Sequence, residues 1–420
     1  MKVFKFGGAS IKSANAIKNV AKILNSQDLS NCLLVISAMG KMTNAFEKIT
    51  DAYFNNDQEK LTESIDFTSN FHLKIINNLF AENHVIHQKI TVLFGQLVRF
   101  LTQNKSRNYD YLYDQIVSYG ELLSTTIVSD YLNEIKIYNN WVDVREIIIT
   151  DAVFRDATVN WQETEKRIKT KIDFSKLTIV QGFIGGDLNG NTTTLGREGS
   201  DFTAGIFAYC LDAESLTIWK DVLGVLNADP REFKEVQLLE HISYEETIEM
   251  AFYGASVIHP KTIKPIQNKK IPLIVRSFKN LNSPGTKVSE GVTLEPTIPC
   301  FIVKKNQVLV SISSLDFSFI VEENISDIFK LFHKYQLKVN LIQNSAISFS
   351  VCVDNNLNHF DLFYNEIKNM YKVSFVKNVD LFTVRHFTEN SLEGIYKLGT
   401  SLVTQINKNT AQIIIQKKNN

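Results

Sequence analysis

The sequence predicts an α/β protein: a largely parallel sheet layered with helices, followed by two small α/β modules. Three observations predict it. Short apolar runs alternate with helical periodicity over the first 270 residues, which is the pattern of a parallel sheet wrapped by crossover helices. The stretch 276–299 then turns to linker chemistry, with Asn282-Ser283-Pro284-Gly285 followed by Pro296 and Pro299. Beyond it, a strand–helix–strand–strand pattern occurs twice. A chain of 420 residues also exceeds the size at which single cores stop growing.

Taken in order, KVFKF (2–6) reads as a strand ended by Gly7-Gly8. Ile17, Val20, Ala21 and Leu24 recur at helical spacing, and CLLVIS (32–37) reads as a buried strand. A helix is expected over 43–53, with Thr43 as its N-cap. Residues 57–133 are mostly helical in pattern. Strands are expected near 147–150, 177–183, 215–219 and 272–275, and helices at 200–210, 243–253 and 261–267. After the linker come a strand (307–313), a helix (325–336) and strands at 338–343 and 346–353. The echo runs over 379–387, 391–397, 401–406 and 410–416.

Composition excludes several classes. Lys+Arg and Asp+Glu both count 45, so no global field draws nucleic acid or anionic membrane. Cys32, Cys210, Cys300 and Cys352 are far apart, with no CxxC pair, which argues against a zinc site or a disulfide framework and for a reducing cytoplasm. The N-terminus lacks a signal-peptide apolar core, and charges interrupt every apolar run before it reaches membrane-spanning length.

Four segments carry candidate chemistry. In Lys5-Phe6-Gly7-Gly8-Ala9-Ser10, a lysine at a strand end approaches phosphate oxygens, and two glycines let backbone N–H groups reach the same anion. The plain alternative is a tight strand-to-helix turn. Gly182 to Asp187, Asn189-Gly190 and Gly196-Arg197-Glu198-Gly199-Ser200-Asp201 form a glycine-rich hairpin leading into a helix start, a ready anion site with Arg197 placed to clamp a carboxylate. The alternative is an ordinary hairpin and cap. Trp219 to Leu226, then Asp229-Pro230-Arg231, is a strand ending in a polar loop, where α/β proteins hold ligands, or a solvated loop. In Ser118-Tyr119-Gly120-Glu121-Leu122-Leu123-Ser124 the glutamate is a helix-start carboxylate or a functional acid. His259 before Pro260 reads as a capping or packing residue.

Together and in this order, KFGGAS (5–10), ISAMGKMTN (36–44), YGELLST (119–125), GREGSDFTA (196–204), WKDVLGVLNADPR (219–231) and FYGASVIHPKTI (252–263) resemble the aspartate kinases of the amino-acid kinase superfamily, in their monofunctional form. The resemblance implies an amino-acid-kinase-type αβα sandwich over 1–290. It also implies an ACT-like regulatory region over 298–420, in two modules, the second degenerate. It implies ATP with Mg²⁺ and L-aspartate as substrates, with Lys5 and Asp201 as catalytic residues. Ser37, Thr43, Glu121, Arg197 and Ser200 are expected at the aspartate site. Arg197 would hold the α-carboxylate, and Glu121 would face the α-amino group. Lys5, Phe6, Gly7, Gly8, Lys220, Asp221, Leu226 and Arg231 are expected to bind ATP, and no protein side chain is assigned as a direct metal ligand. ACT-like modules imply a homodimer or larger, with no nucleic-acid or membrane partner and a cytoplasmic location. Aspartyl phosphate leads on to lysine, threonine and methionine.

Some positions depart from the family pattern. Ala9 stands where threonine is usual, Ser256 where a lysine serves the nucleotide phosphates, and Lys220 where threonine is common. Asp316-Phe317-Ser318-Phe319 lacks the glycine of the effector turn, so weak or absent feedback by lysine and threonine is expected. The rival expectations are a kinase of another carboxylate, such as glutamate, and a non-catalytic amino-acid-binding paralogue.

Overall fold

The computed structural model describes residues 1–417 except 174, 256, 257 and 317. The chain divides into two compact units. The first comprises Met1–Val225, Leu238–Ile248 and Val257–Leu294; the second comprises Leu226–Gln237, Glu249–Ser256 and Glu295–Asn420.

The first unit is built on an eight-stranded sheet. Its strands are β1 (Lys2–Phe6), β2 (Cys32–Ile36), β3 (Asn139–Val142), β4 (Leu177–Gln181), β7 (Ser215–Lys220), β8 (His241–Ser243), β9 (Leu273–Ser277) and β10 (Thr286–Ser289). A separate hairpin is formed by β5 (Ile184–Gly186) and β6 (Thr192–Thr194). The sheet order is β3-β4-β2-β1-β7-β9-β10-β8, parallel from β3 to β9. β10 is antiparallel to β9. The chain therefore builds β2 on one side of β1 and β7 on the other. That change of direction opens a crevice at the carboxyl ends of these strands, the place where open α/β sheets bind ligands.

Burial explains the central strands. Cys32 to Ile36 are all fully buried, because helices cover both faces and leave no polar side for the strand to show. Helix α1 (Ala14–Asn25) buries Ile17, Val20, Ala21 and Leu24, the residues whose spacing predicts it, and is capped by Ser13. Helices α2 (Met42–Phe54), α3 (Gln58–Leu79), α4 (Ile86–Gln103) and α5 (Tyr109–Glu134) follow, then α6 (Trp161–Lys171), α7 (Gly199–Cys210), α8 (Tyr244–Tyr253) and α9 (Pro260–Asn268). Phe6 stacks on Trp219 across β1 and β7, ring centroids 5.9 Å apart and planes 2° from parallel, closing the core beneath the crevice.

The structure corrects four local expectations. Residues 147–150 are no strand of the sheet: Ile149 and Thr150 make single bridges to Gly186 and Val159. The true strand there, β3, is a half-exposed edge of sequence NNWV, with no apolar run to announce it. Thr43 is not an N-cap, since α2 begins one residue earlier and the cap is Lys41, which offers no side-chain hydrogen bond. Glu121 lies in the middle of α5 rather than at a helix start. Within 276–299, read as linker, Thr286–Ser289 forms β10. His259 does cap α9, its ring accepting from the Lys261 N–H.

The second unit carries a six-stranded antiparallel sheet, ordered β12-β13-β11-β14-β16-β15. Its strands are β11 (Cys300–Ser313), β12 (Val339–Asn344), β13 (Ser348–Asp354), β14 (Lys372–Arg385), β15 (Gly399–Ile406) and β16 (Thr410–Lys417). Helix α10 (Glu322–Lys334) follows β11, and α12 (Glu389–Tyr396) follows β14. The repeat is now visible as symmetry. Each half runs strand, helix, strand, strand, and places its first strand innermost and its second outermost. The two 14-residue strands β11 and β14 pair with each other at the centre. Helix α11 (Leu357–Ile367) and the first half of β14 are not among the predicted elements. The 316–319 turn includes residue 317, which lies outside the described residues; Ser318 N–H donates to the Asp316 carboxylate.

All four cysteines are buried free thiols: Cys32 in β2, Cys210 in α7, Cys300 in β11 and Cys352 in β13. Burial pushes Cys32, Cys210 and Cys352 up to about 12. Among the described residues no helix is long and apolar enough to cross a membrane.

Candidate active site

The crevice at the carboxyl ends of β1, β2 and β7 gathers residues from five segments. Lys5, the penultimate residue of β1, directs its ammonium to Asp201, with Nζ 2.5 Å from Oδ1. Lys220, the last residue of β7, reaches the other carboxylate oxygen, Nζ to Oδ2 3.3 Å. The register Lys5↔Ile218 and Phe6↔Trp219 puts Lys220 beyond the end of β1, so the two lysines approach Asp201 from adjacent strands. Asp201 is 1% exposed and lies in the first turn of α7. Burial alone would raise its carboxyl, but the ammonium groups of Lys5 and Lys220 prevail and hold it well below the usual carboxylate range.

Close approach of backbones makes this convergence possible. A Cβ on Gly8 would lie 2.6 Å from the Gly40 carbonyl oxygen and 2.7 Å from that of Ala38, so only glycine lets the first loop seat against the loop after β2. A Cβ on Gly199 would meet the Phe183 ring at 2.5 Å. Glu198, just before it, takes a left-handed conformation at φ 55°, which turns the chain sharply into α7.

Ser37 ties three elements together. Its hydroxyl oxygen accepts from Ser200 Oγ at 3.2 Å, and its carbonyl accepts from Ser124 Oγ at 2.6 Å, joining β2 to α7 and α5. One turn before Ser124, Glu121 is 1% exposed, and among the described residues its Oε2 has no hydrogen-bond partner. Burial pushes its carboxyl up to about 8, with hydrogen bonding from the Ala38 backbone offsetting part of the effect. A protonated, half-satisfied carboxyl group is thus held beside the loop after β2. Thr43, the second residue of α2, is half-buried.

The remaining predicted residues fall in different surroundings. Gly7 lies beside the Lys5 ammonium: a Cβ there would sit 3.2 Å from Nζ. Phe6 is fully buried against Trp219 and its carbonyl accepts from Ser37 N–H, so it supports Lys5 from the core. Arg197 is exposed at the turn before α7 and makes no ion pair among the described residues. Asp221 is exposed, 3.8 Å from Lys279. Leu226 and Arg231 belong to the second unit; Arg231 is exposed and forks onto Asp229 at 2.6 and 3.0 Å. Ser256 lies outside the described residues.

Two supporting groups escaped the sequence reading. Asp114 is fully buried on α5, two turns before Glu121, and accepts from Thr194 N–H at 2.8 Å, Thr194 Oγ1 at 2.7 Å and Arg155 N–H at 3.1 Å. It pins the β5–β6 hairpin to the helix that carries Glu121, and burial pushes its carboxyl up to about 6. Its signal was present: Asp114, Ser118, Glu121 and Thr125 form a buried polar stripe at helical spacing on α5. Lys261 donates to the Leu195 carbonyl at 3.0 Å and to Asp156 at 2.7 Å, bracing the strand end that leads to Arg197.

Among the described residues no three carboxylate, histidine or cysteine side chains converge as a metal cage. The donor set offers one buried carboxylate, already flanked by two ammonium groups. That arrangement suits an ion such as Mg²⁺ that keeps its waters and is carried chiefly by substrate phosphates.

Comparison with known proteins agrees with this geometry. A profile of the amino acid kinase family matches residues 1–277. The lysine-sensitive aspartokinase 3 of Escherichia coli (strain K12) is 30% identical over 356 residues, covering 84% of this chain and 78% of its own length. A bifunctional aspartokinase/homoserine dehydrogenase from Buchnera aphidicola is 31% identical over 82% of this chain, which spans only 43% of that relative's length. The crystal structure of E. coli aspartokinase III in complex with lysine and aspartate superposes with a TM-score of 0.83 at 26% identity, covering 99% of this chain and 96% of that one. The same enzyme in complex with aspartate and ADP gives a TM-score of 0.80 at 25% identity and the same coverage.

Proposed function

Since the chain belongs to the amino acid kinase family, and within it to the aspartokinases, we propose that it transfers the γ-phosphoryl group of ATP to the β-carboxylate of L-aspartate, giving 4-phospho-L-aspartate and ADP. The observation that carries this reading is the convergence of Lys5, Lys220 and Asp201 at the switch point of the sheet, beside the first turn of α7.

The chemistry follows from the charges. An aspartate β-carboxylate is ionised at neutral pH, since such groups titrate near 4, so no general base is required. One of its oxygens bonds to the γ-phosphorus while the bond from that phosphorus to the bridging oxygen breaks, and ADP leaves with the electron pair. The barrier is the approach of two anions, and what lowers it is positioning and fixed positive charge. Lys5 and Lys220 supply that charge, and Asp201 holds the two ammonium groups in place against their mutual repulsion. Backbone N–H groups of Gly7, Gly8 and the start of α7 add donors. Arg197 takes the α-carboxylate in a bidentate grip. Glu121 receives the α-amino group, and Ser37, Thr43 and Ser200 line the space between. Phe6, Asp221, Leu226 and Arg231 complete the nucleotide side, Phe6 through the backbone alone. Mg²⁺, when present, would supply charge neutralisation on the nucleotide side.

An ATP-dependent assay with hydroxylamine trapping, run over aspartate, glutamate and acetylglutamate, tests the reading. Turnover with aspartate alone is expected; preference for either other carboxylate, or none with any, overturns it. The first unit is the catalytic domain in this reading and the second the regulatory region. ACT-like modules pair across subunits, so a homodimer or larger assembly is expected, and sedimentation showing a stable monomer at micromolar concentration contradicts this.

Arg197→Lys keeps the charge and loses the planar fork. The KM for aspartate should rise at least tenfold while that for ATP stays within about twofold, the loss of one charged hydrogen bond being about 1.5–3 kcal/mol. Equal rises would show that Arg197 does not face aspartate.

Lys220 stands where the family commonly has threonine, and its ammonium lies at the Asp201 carboxylate. In this reading it replaces the charge that the family lysine would bring at position 256. Lys220→Thr should impair ATP use, and adding Ser256→Lys should restore much of it, the non-additivity expected of two residues serving one ligand. Unchanged ATP KM and kcat in Lys220→Thr would end this idea.

A further inference from the structure

We infer that Arg155 is a positioning residue for the aspartate site: its guanidinium latches the turn 151–158 onto α2 and α5, and that turn sets the place of Arg197. The kinetic consequence rests on the aspartate reading above; the latch itself does not.

The turn is closed at its base by Asp151, whose carboxylate accepts from the N–H groups of Val153 and Thr158. From there Arg155 reaches two helices. Its guanidinium carbon lies 4.5 Å from the centre of the Tyr113 ring and 5.6 Å from that of Tyr109, two aromatic residues one turn apart on α5. Its nitrogens lie 3.5 Å from Asp110 on the same helix and 3.8 Å from Glu47 on α2, one turn beyond Thr43. The Arg155 N–H donates to both carboxylate oxygens of Asp114, at 3.1 and 3.2 Å, two turns before Glu121. One residue thus touches both helices that carry side chains assigned to aspartate.

On its other side the turn holds the chain that leads to Arg197. The Ala157 N–H donates to the Thr194 carbonyl at 2.9 Å. The Asp156 carboxylate and the Leu195 carbonyl share the Lys261 ammonium. A Cβ on Gly196 would lie 2.4 Å from Asp156 Oδ1 and 3.3 Å from the Arg155 carbonyl oxygen, so the turn is seated against the residue before Arg197. Arg197 is exposed and makes no ion pair among the described residues, so its backbone decides where its fork points.

The backbone of Arg155 is a separate observation. Its φ is 70°, in the left-handed region that arginine rarely adopts and that glycine or asparagine would take at less cost. Such a conformation persists where the surroundings over-determine it, and here both the side chain and the N–H are held. The two ion pairs are long and half-exposed, so they add little to stability. What they fix is position.

Hydrogen exchange followed by mass spectrometry, with steady-state kinetics on the same full-chain proteins, tests the inference. Arg155→Asn removes the latch with a residue that accepts the backbone conformation, so the Tm should stay within about 3 °C of the native value. Exchange over residues 194–199 should speed up at least about fivefold. The KM for aspartate should rise about tenfold while that for ATP stays within about twofold, since a displacement of roughly 1 Å in a positioning group has effects of this order. Arg155→Lys keeps a cation over the rings and should lie near the native protein in both measurements. Arg155→Gly takes the place of Arg155→Asn should the latter fold poorly. Because Arg155 acts through Arg197, combining Arg155→Asn with Arg197→Lys should raise the aspartate KM by less than the product of the two single effects. Unchanged exchange over 194–199 in the Asn and Gly variants overturns the latch. Faster exchange with an unchanged aspartate KM, in a protein whose native form turns over aspartate, overturns the positioning role. A native protein that turns over no aspartate ends the aspartate reading, and exchange alone then decides the latch.

Discussion

Lys5→Ala should lower kcat roughly 100- to 1000-fold, because removing one charged contact to the transferring group costs about 3–4 kcal/mol of transition-state stabilisation. The protein should still fold, since Lys5 ends at a crevice rather than in the apolar core. Its acid stability should nevertheless change in a defined direction. The folded-state carboxyl of Asp201 is held below its unfolded value, so it contributes stability above about pH 4 that is lost as pH falls towards its folded value. Without Lys5 that depression shrinks, and the acid-unfolding midpoint should move to higher pH. Asp201→Asn should show a comparable loss of turnover for a different reason: Lys5 and Lys220 are left facing each other, and nothing fixes their positions. A folded Lys5→Ala variant with near-normal turnover would defeat the assignment of the site.

The second large effect is a separation of stability from substrate binding at Glu121. Its folded carboxyl titrates at about 8, against about 4.3 in an unfolded chain. Between those values the folded state holds a proton that the unfolded state has released, so native stability falls as pH rises through this window. Glu121→Gln keeps the shape without the titration. Its Tm should therefore gain on the native protein steadily from pH 5 to pH 8. Its KM for aspartate should rise about 100-fold, since the substrate ammonium loses a charged partner worth about 3 kcal/mol in a buried site. Aspartate binding to the native protein at pH 7 should release a proton, seen by calorimetry in buffers of different ionisation enthalpy. A variant that loses stability at pH 8 and keeps its aspartate KM would make Glu121 a purely structural residue.

What was legible in the sequence followed burial. The strands CLLVI and SLTIW are covered on both faces, so CLLVI is written in apolar residues alone and SLTIW departs from that only at Ser215 and Thr217. Strand β3, an edge with half-exposed asparagines, carries no such pattern, and 147–150 is apolar because it is buried, not because it is paired. The site was legible as motifs, since glycines at 8 and 199 mark approaches that no other residue allows. Partnership within the site was not legible. Nothing local relates Lys5 to Asp201 or Asp201 to Lys220; the parallel register of β1 with β7 and the packing of α7 bring them together. Asp114 and Lys261 were missed because each acts on backbone groups far away in the chain, which leaves only a buried polar stripe or a lysine in a motif as a trace.

The buried cysteines have a practical consequence. The thiolate is the form that reacts, and burial suppresses it, so a thiol reagent should label this chain only as fast as the structure opens. Two of the four sulfurs lie in each unit, Cys32 and Cys210 in the first and Cys300 and Cys352 in the second. The chain thus carries an internal pair of clocks for each half. Variants that retain one cysteine at a time would time the opening of β2, α7, β11 and β13 separately, with no new cysteine introduced.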